Sequence, residues 1–325
     1  MKIVILALTL VYSSLLLKAQ QDPHYTQFFL NRLNYNPAFA GTEEKICALG
    51  IYRSQWIGFG GDKAGLAPTT FMASINSPLG KSFGVGLNIM NDQLGFQNSI
   101  NPILSLSWRK IFQNASMLSV GVSGGIMQQS LQGKKLDPLE KGDPKIPDTD
   151  VNGMSSDFNA GLYFTMPNLW RFQNFYAGIS ATHLNQGNVQ YTWGSSQVVD
   201  NQMKLHYYMM TGAQYEITPG TLVAEPNLFF KYDGANLSFD LNVMAEYNGK
   251  IRGGLTYRAG DAISILAGYK ITPVMQIGYS YDLTTSDIIQ YSTGSHEILF
   301  KYCFMPKFKE KIPPQPIPRL TPRFL

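Results

Sequence analysis

Apolar and polar residues alternate along most of this chain, so that every second side chain belongs to the same class. The alternation is clearest over 237–247 and 251–257, two stretches that the dipeptide Asn248-Gly249 separates. A period of two is typical of β-strands, and Asn-Gly is the strongest short signal for a hairpin turn. The pattern predicts a series of antiparallel strands. Fourteen segments show it: 45–56, 68–78, 83–92, 101–111, 116–129, 156–165, 174–184, 203–216, 222–232, 236–247, 250–258, 261–271, 274–283 and 296–304.

The two faces of these strands differ in a way that indicates a membrane. The apolar face carries tyrosines near strand ends, such as Tyr247, Tyr257 and Tyr269, and the other face carries Gly, Ser, Asn and charged residues. A soluble β-sandwich also alternates, but aromatic girdles and a charged fraction of only 15% are typical of strands that face lipid. An open sheet edge in lipid would leave backbone groups unpaired, so the strands must close. We predict an all-β fold, a closed antiparallel transmembrane β-barrel of about 14 strands.

The lengths of the connections give the barrel a direction. Outer-membrane barrels have short periplasmic turns and longer external loops, so long and short connections should alternate. The long predicted connections, 57–67, 130–155, 185–202 and 284–295, all fall on the same side of the predicted sheet. The opposite side has short turns, with 166–173 as the longest exception. We expect the long connections to be external.

The first residues predict export. Lys2 precedes an apolar run from Ile3 to Leu17, and a small residue, Ala19, follows, as in a cleavable secretory signal. The alternative is a retained N-terminal anchor. We assign 1–19 to a signal peptide, 20–44 to an N-terminal periplasmic or lumen-plugging segment, and 45–304 to an outer-membrane β-barrel.

The end of the chain, 305–325, is rich in proline and in basic residues. Its six prolines cannot extend a sheet, so we predict a Pro-rich basic tail that runs into the periplasm, with a disordered remnant as the alternative. Five basic residues against one acidic residue in this tail equal the whole net charge of +4. The body of the chain is therefore balanced, and we expect no nucleic-acid partner.

Residues with catalytic or metal-binding chemistry are few and scattered. The four histidines, His24, His183, His206 and His296, are isolated in sequence and none has the spacing of a metal motif. Ser180 and His206 lie on neighbouring predicted strands, which leaves an outer-membrane hydrolase as an alternative. We otherwise expect no catalytic residues, no metal, no cofactor and no enzymatic activity.

The two cysteines, Cys47 and Cys303, lie near the start of the first strand and near the end of the last. Closure of the barrel pairs these strands, so we predict that the two thiols meet at the periplasmic end of the seam. A disulfide between them is a further hypothesis.

Charged residues of both signs fall on the inward face of the predicted strands. A network of internal ion pairs would favour a narrow or blocked interior, and a conducting pore is the alternative. The inward charges are Arg109, Asp157, Lys231, Asp240, Glu246, Arg252, Arg258, Lys270, Asp282, Glu297 and Lys301.

Several short stretches resemble a known family. They are 21–28 (QDPHYTQF), 36–41 (NPAFAG), 52–58 (YRSQWIG), 68–70 (PTT), 84–87 (GVGL), 176–184 (YAGISATHL) and 322–325 (PRFL). Together they resemble the PorP/SprF family of type IX secretion system membrane proteins of the Bacteroidetes. The resemblance covers nearly the whole chain, and its first hundred residues are the most specific part.

The resemblance implies a non-enzymatic outer-membrane accessory of type IX protein secretion and, in gliding relatives, of adhesin export. It implies three partners: outer-membrane lipid, the C-terminal targeting domain of a secreted surface protein, and periplasmic or outer-membrane secretion components. The alternative function is a passive pore or small-solute transporter. The matching motif positions are candidate structural or partner-interaction sites: Asp22, Pro23, Tyr25, Gln27, Asn36, Pro37, Phe39, Gly41, Arg53, Gln55, Trp56, Gly58, Pro322, Arg323, Phe324 and Leu325.

Overall fold

The protein forms a closed antiparallel barrel of fourteen strands in a computed structural model. The structure describes residues 22–61, 66–138, 140, 143, 146–193 and 197–305. The predicted signal peptide and almost all of the Pro-rich tail lie outside these residues. The barrel strands are β1 Ile46–Ser54, β2 Thr69–Leu79, β3 Phe83–Leu94, β4 Gln97–Ile111, β5 Met117–Leu131, β6 Val151–Leu169, β7 Phe172–Thr182, β10 His206–Thr218, β11 Leu222–Tyr232, β12 Leu237–Tyr247, β13 Ile251–Arg258, β14 Ala262–Thr272, β15 Met275–Thr284 and β16 Ser295–Phe304.

The ends of the sheet meet between β1 and β16, which pair in antiparallel register. Cys47 lies directly opposite Cys303, with 4.0 Å between their Cα atoms, and the two form a disulfide. The predicted strand number, the closure and the meeting of the two cysteines are confirmed.

Alternation along each strand gives the wall an apolar outer face and a polar inner face. On β13 and its neighbours this is clear: Leu255 is 58% exposed, whereas Thr256 is 0% exposed and Arg258 only 1%. Exposed outer residues such as Tyr257 and Tyr269 would face lipid, which favours apolar surface. Within the described residues, no helix is long and apolar enough to cross a membrane.

Connections at the two rims differ in length. One rim, here called the long-loop rim, carries the connections 55–68, 132–150, 183–205 and 285–294. The other, the short-turn rim, carries only short turns, because β6 and β7 extend to Leu169 and from Phe172 and leave 170–171 as their turn. The expected exception at 166–173 is therefore wrong. The long-loop rim also carries three short connections, 95–96, 233–236 and 259–261.

One hairpin was not predicted from the sequence. Strands β8 Asn188–Trp193 and β9 Gln197–Gln202 pair with each other in a separate sheet inside the connection 183–205. Val189 and Tyr191 of this hairpin are buried with Met127 and Val151 of the barrel. The hairpin thus packs over β5 and β6 at the long-loop rim.

Candidate functional site

Residues 22–42, here called the lumenal segment, lie against the inner face of the barrel. They contain one turn of helix, α1 Arg32–Tyr35, and a 3-10 turn, Pro37–Phe39. The segment bonds to inward side chains of β1, β4, β5, β7, β15 and β16, which come from all round the wall. Its first residues contact strand ends at the long-loop rim, and its last residues contact strand ends at the short-turn rim.

Near the long-loop rim, a cluster of buried charges binds the backbone of the segment. Glu297 accepts hydrogen bonds from the backbone N–H groups of Thr26 and Gln27, both at 2.9 Å. Arg53 lies between Asp282, at 2.7 Å, and Glu297, at 3.2 Å. The Thr26 hydroxyl donates to Asp282 at 2.8 Å and accepts from Arg53 at 3.1 Å. Every carboxylate in this cluster therefore has a cation or an N–H group beside it, as burial requires.

Asp22 and His24 begin the segment, also at the long-loop half. The Asp22 carboxylate lies 3.2 Å from His183 Nε2 and 4.0 Å from His206 Nδ1, and it accepts a hydrogen bond from the Tyr208 hydroxyl at 2.6 Å. Burial, followed by the charges of Lys231 and Arg258, holds the pKa of His24 well below its ordinary value. The neutral ring of His24 fits its contact, because His24 Nδ1 lies 2.9 Å from Lys231 Nζ and accepts its hydrogen.

Aromatic rings hold the middle of the segment. Phe28 stacks on Phe229 with ring centroids 5.1 Å apart, and Tyr35 meets Phe229 edge-on at 4.5 Å. The guanidinium of Arg32 lies 3.7 Å from the ring centroid of Tyr176, a cation–π contact. These contacts bury apolar surface that would otherwise meet water in a polar lumen.

At the short-turn half the backbone of the segment lies directly on the wall. The Asn36 amide donates to the carbonyls of Leu162, at 2.9 Å, and Ile179, at 3.2 Å. The hydroxyls of Ser119 and Ser107 donate to the carbonyls of Ala38, at 2.6 Å, and Ala40, at 2.7 Å. The Gly41 carbonyl accepts from Arg109. At this half the segment is held by hydrogen bonds between side chains and backbone carbonyls, and no carboxylate takes part in these bonds.

Glycines in the wall make this approach possible. A Cβ atom added at Gly121 would lie less than 3.0 Å from the backbone of Ala38, and one at Gly84 would collide in the same way with Ala40. Gly41 itself has a φ of +70°, and its added Cβ would lie 2.6 Å from Gly84 Cα. Larger residues at these positions would displace the segment.

A polar cavity of about 310 Å³ remains in the lumen near the short-turn rim. Glu43 and Lys301 form an ion pair on its wall. Burial alone would raise the pKa of Glu43, but the charge of Lys301 outweighs burial and lowers it. Its lining also includes the cations Arg32, Arg252 and Lys270 and the carboxylate Glu225, which pairs with Arg252. The predicted network of internal ion pairs is therefore present.

The candidate site residues fall into three groups. The motif positions between 22 and 41 meet Arg53 in the lumen, and among them Tyr25, Asn36 and Phe39 are buried. Their contacts support a structural role, and the partner-interaction role stays a prediction. Gln55, Trp56 and Gly58 lie in the loop 55–68, where the Trp56 N–H donates to the Ser295 hydroxyl at 3.1 Å. Pro322, Arg323, Phe324 and Leu325 lie outside the described residues.

The hydrolase alternative finds no support in the contacts of Ser180. Its hydroxyl donates to the Tyr35 carbonyl at 2.6 Å, and His206 Nδ1 lies 2.9 Å from the Lys204 carbonyl. Sequence reasoning placed Asp282 and Glu297 on the inner face but missed their contacts with Thr26. Alternation along a strand predicts which side chains point inward, but it does not predict which residue each of them contacts.

Fold and site together define a membrane β-barrel of the outer-membrane type, with its own N-terminal segment in the lumen. The family comparison names the class more closely. Residues 17–302 match the family described as type IX secretion system membrane protein PorP/SprF. The chain belongs to this family, which confirms the resemblance seen in the sequence and supports a role in type IX secretion at the outer membrane. No curated protein matches the chain.

Solved structures with a similar fold are distant in sequence. The Ralstonia pickettii toluene transporter TbuX matches with a TM-score of 0.51 and 12% identity, over 84% of this chain and 93% of that chain. The CymD monoaromatic hydrocarbon channel matches with a TM-score of 0.45 and 11% identity, over 85% of this chain and 93% of that chain. The translocator domain of the autotransporter NalP from Neisseria meningitidis matches with a TM-score of 0.43 and 9% identity, over 81% of this chain and 88% of that chain. At these identities the likeness to TbuX supports the barrel fold alone.

Proposed function

We propose that this protein is a non-enzymatic outer-membrane accessory of type IX secretion that acts as an adaptor for a secreted surface protein. The family match over residues 17–302 is the observation that carries the proposal. The adaptor binds the C-terminal targeting domain of its client at the long-loop rim. Its client is an adhesin-like protein, and in gliding organisms this export serves motility.

The contents of the lumen favour an adaptor over a conduit. The lumenal segment crosses from one rim to the other, and buried ion pairs and backbone hydrogen bonds hold it at both ends. We propose that it plugs the barrel, so that the client passes by another route. A passive pore or small-solute transporter is the second candidate, because the fold is similar to that of a toluene transporter.

The long-loop rim provides the surface for the client. The length of its loops supports an external position for this rim, which carries the hairpin β8–β9 together with the loops 55–68 and 132–150. Exposed residues such as Ile289 and Tyr291 in the loop 285–294 add apolar surface there. Binding surfaces on loops above a rigid barrel are common in proteins.

Cross-linking in intact cells followed by purification of the tagged barrel tests the adaptor role. We expect a secreted surface protein and type IX components in the purified material. Replacement of 132–150 by a Gly-Ser linker of equal length should abolish recovery of the surface protein, whereas the same replacement of the short turn 112–116 should not. Recovery of neither partner class would contradict the proposal.

Reconstitution in planar bilayers separates the two candidates. The plugged barrel should show no steady conductance with the lumenal segment intact. Steady single-channel conductance of the intact chain would favour the pore instead.

A further inference from the structure

Three side chains that are far apart in sequence meet where the lumenal segment enters the barrel. Asp22 starts the segment, His183 directly follows β7, and His206 is the first residue of β10. Strands β7 and β10 pair with His206 opposite Thr182, which brings the imidazole centroids of the two histidines to 5.6 Å. One ligand-type atom from each of the three residues lies within 4.8 Å of the others.

Both histidines have one ring nitrogen already engaged by an acceptor. His183 Nδ1 lies 2.9 Å from a carboxylate oxygen of Asp157, and His206 Nδ1 lies 2.9 Å from the carbonyl oxygen of Lys204. Carbonyl and carboxylate oxygens only accept, so each Nδ1 carries the hydrogen. Metal-binding histidines show this arrangement, because the second partner fixes the ring and leaves the other nitrogen free for the metal.

The remaining nitrogens are turned to the cluster or left without a partner. His183 Nε2 lies 3.2 Å from Asp22 Oδ1 and donates to it, so a metal ion bound at Nε2 would displace that hydrogen. His206 is only 5% exposed, and its Nε2 is buried with no hydrogen-bond partner among the described residues. Buried polar atoms are nearly always paired, so this imidazole nitrogen is a candidate ligand atom, and the other nitrogen of the ring, Nδ1, lies 4.0 Å from Asp22 Oδ2.

Asp22 and His206 also border a small open space. It is a cavity of about 30 Å³, large enough to hold a water molecule, and it lies on the side of these residues where Lys231 also lines it. Tyr208 donates to Asp22 Oδ2 at 2.6 Å and orients the carboxylate. The Asp22 side chain is 30% exposed, so solutes reach the site.

We propose that Asp22, His183 and His206 form a binding site for a divalent transition metal such as Zn²⁺, which fastens the start of the lumenal segment to β7 and β10. Two imidazoles and one carboxylate are a typical Zn²⁺ ligand set, with a fourth position for water. Ligand atoms in tetrahedral Zn²⁺ sites lie about 3.3 Å apart, given bonds of 2.0–2.1 Å. The His183–Asp22 pair already has this spacing, and the nearer nitrogen of His206 lies 4.0 Å from Asp22 Oδ2.

Equilibrium dialysis of the full-length barrel in detergent against Zn²⁺ alone tests the site. We expect one Zn²⁺ per barrel, lost in His183→Gln and in His206→Gln. Asp157→Asn should weaken binding by roughly 10–100-fold, since Asp157 only orients His183. Another histidine gives a matched control, because His296, which bonds to the Tyr279 hydroxyl away from the cluster, should leave Zn²⁺ binding unchanged in His296→Gln.

Two further measurements keep the result decisive. Heat-modifiable migration on gels shows whether each variant still folds as a barrel, so a loss of Zn²⁺ is interpreted only in folded protein. Co²⁺ bound in place of Zn²⁺ should give the intense visible absorption of tetrahedral coordination. The proposal would be overturned if the wild type bound no stoichiometric Zn²⁺, or if His183→Gln and His206→Gln each bound as much Zn²⁺ as the wild type; a simple histidine–carboxylate pair would then remain.

Discussion

The two ends of the lumenal segment are held by different chemistry. At the long-loop half, charged side chains bind the segment, as when Glu297 accepts two backbone N–H groups and pairs with Arg53. At the short-turn half, serine hydroxyls, an amide and one guanidinium, that of Arg109, bind backbone carbonyls, and glycines in the wall give the segment room. The first end depends on electrostatics and the second on steric fit.

This difference shows two ways in which a barrel can hold a segment that is not part of its sheet. Buried charges bind strongly only while their partners stay in place, because the interior screens them poorly. A backbone that touches glycine is held by shape and tolerates changes of charge. We therefore expect the long-loop half to be sensitive to single charge removals and the short-turn half to be sensitive to added volume.

The largest effect should follow removal of the central cation. Arg53→Met leaves Asp282 and Glu297 with one fewer cation, and loss of one partner from a buried ion pair costs about 3–5 kcal/mol. We expect a lower unfolding midpoint in detergent and trypsin cleavage after Arg32 as the segment leaves the lumen. Arg171→Met, at an exposed turn, is the matched control and should change stability by no more than about 0.5 kcal/mol. Arg32 that stays protected in Arg53→Met would show that the charges do not hold this end.

The seam should give the next largest effect, confined to the short-turn half. Replacement of both Cys47 and Cys303 by serine removes a covalent link between the first and last strands. Loss of a native disulfide costs about 2–4 kcal/mol. Hydrogen exchange of β1 and β16 should rise near the short-turn rim. Reductant should reproduce this change in the wild type and do nothing to the double variant, and equal exchange in both proteins would contradict the prediction.

The smallest of the three effects should come from added volume at the wall. Gly121→Val places atoms on the backbone of Ala38, and overpacking of this kind costs about 1–3 kcal/mol. Trypsin should again cleave after Arg32, but without any change in the Arg53 cluster. Gly50→Val is the control, because an added Cβ there meets nothing nearer than 4.0 Å. Equal protease resistance of the two variants would show that fit at the short-turn half does not matter.

Much of the barrel could be predicted from local pattern. All fourteen strands, their antiparallel order, the inward charges and the meeting of Cys47 with Cys303 follow from alternation and from the need to close a sheet in lipid. Strand ends were less certain. β6 and β7 continue to the turn 170–171 because Met166 and Leu169 still pair with Phe175 and Phe172, although alternation of polarity weakens there.

Local sequence pattern predicts the strands that form the wall of the barrel. The contacts inside the lumen depend on the folded barrel. Alternation is a property of neighbouring residues, so it can be read along the chain. The partners of Asp22, which are His183 and Tyr208, are set by strand register and by the curvature of the closed barrel. They lie 161 and 186 residues away, and no local pattern records that distance. The hairpin β8–β9 also escaped prediction, because Val189 and Tyr191 of its short first strand are buried by packing on β5 and β6 and not by a long alternation of their own.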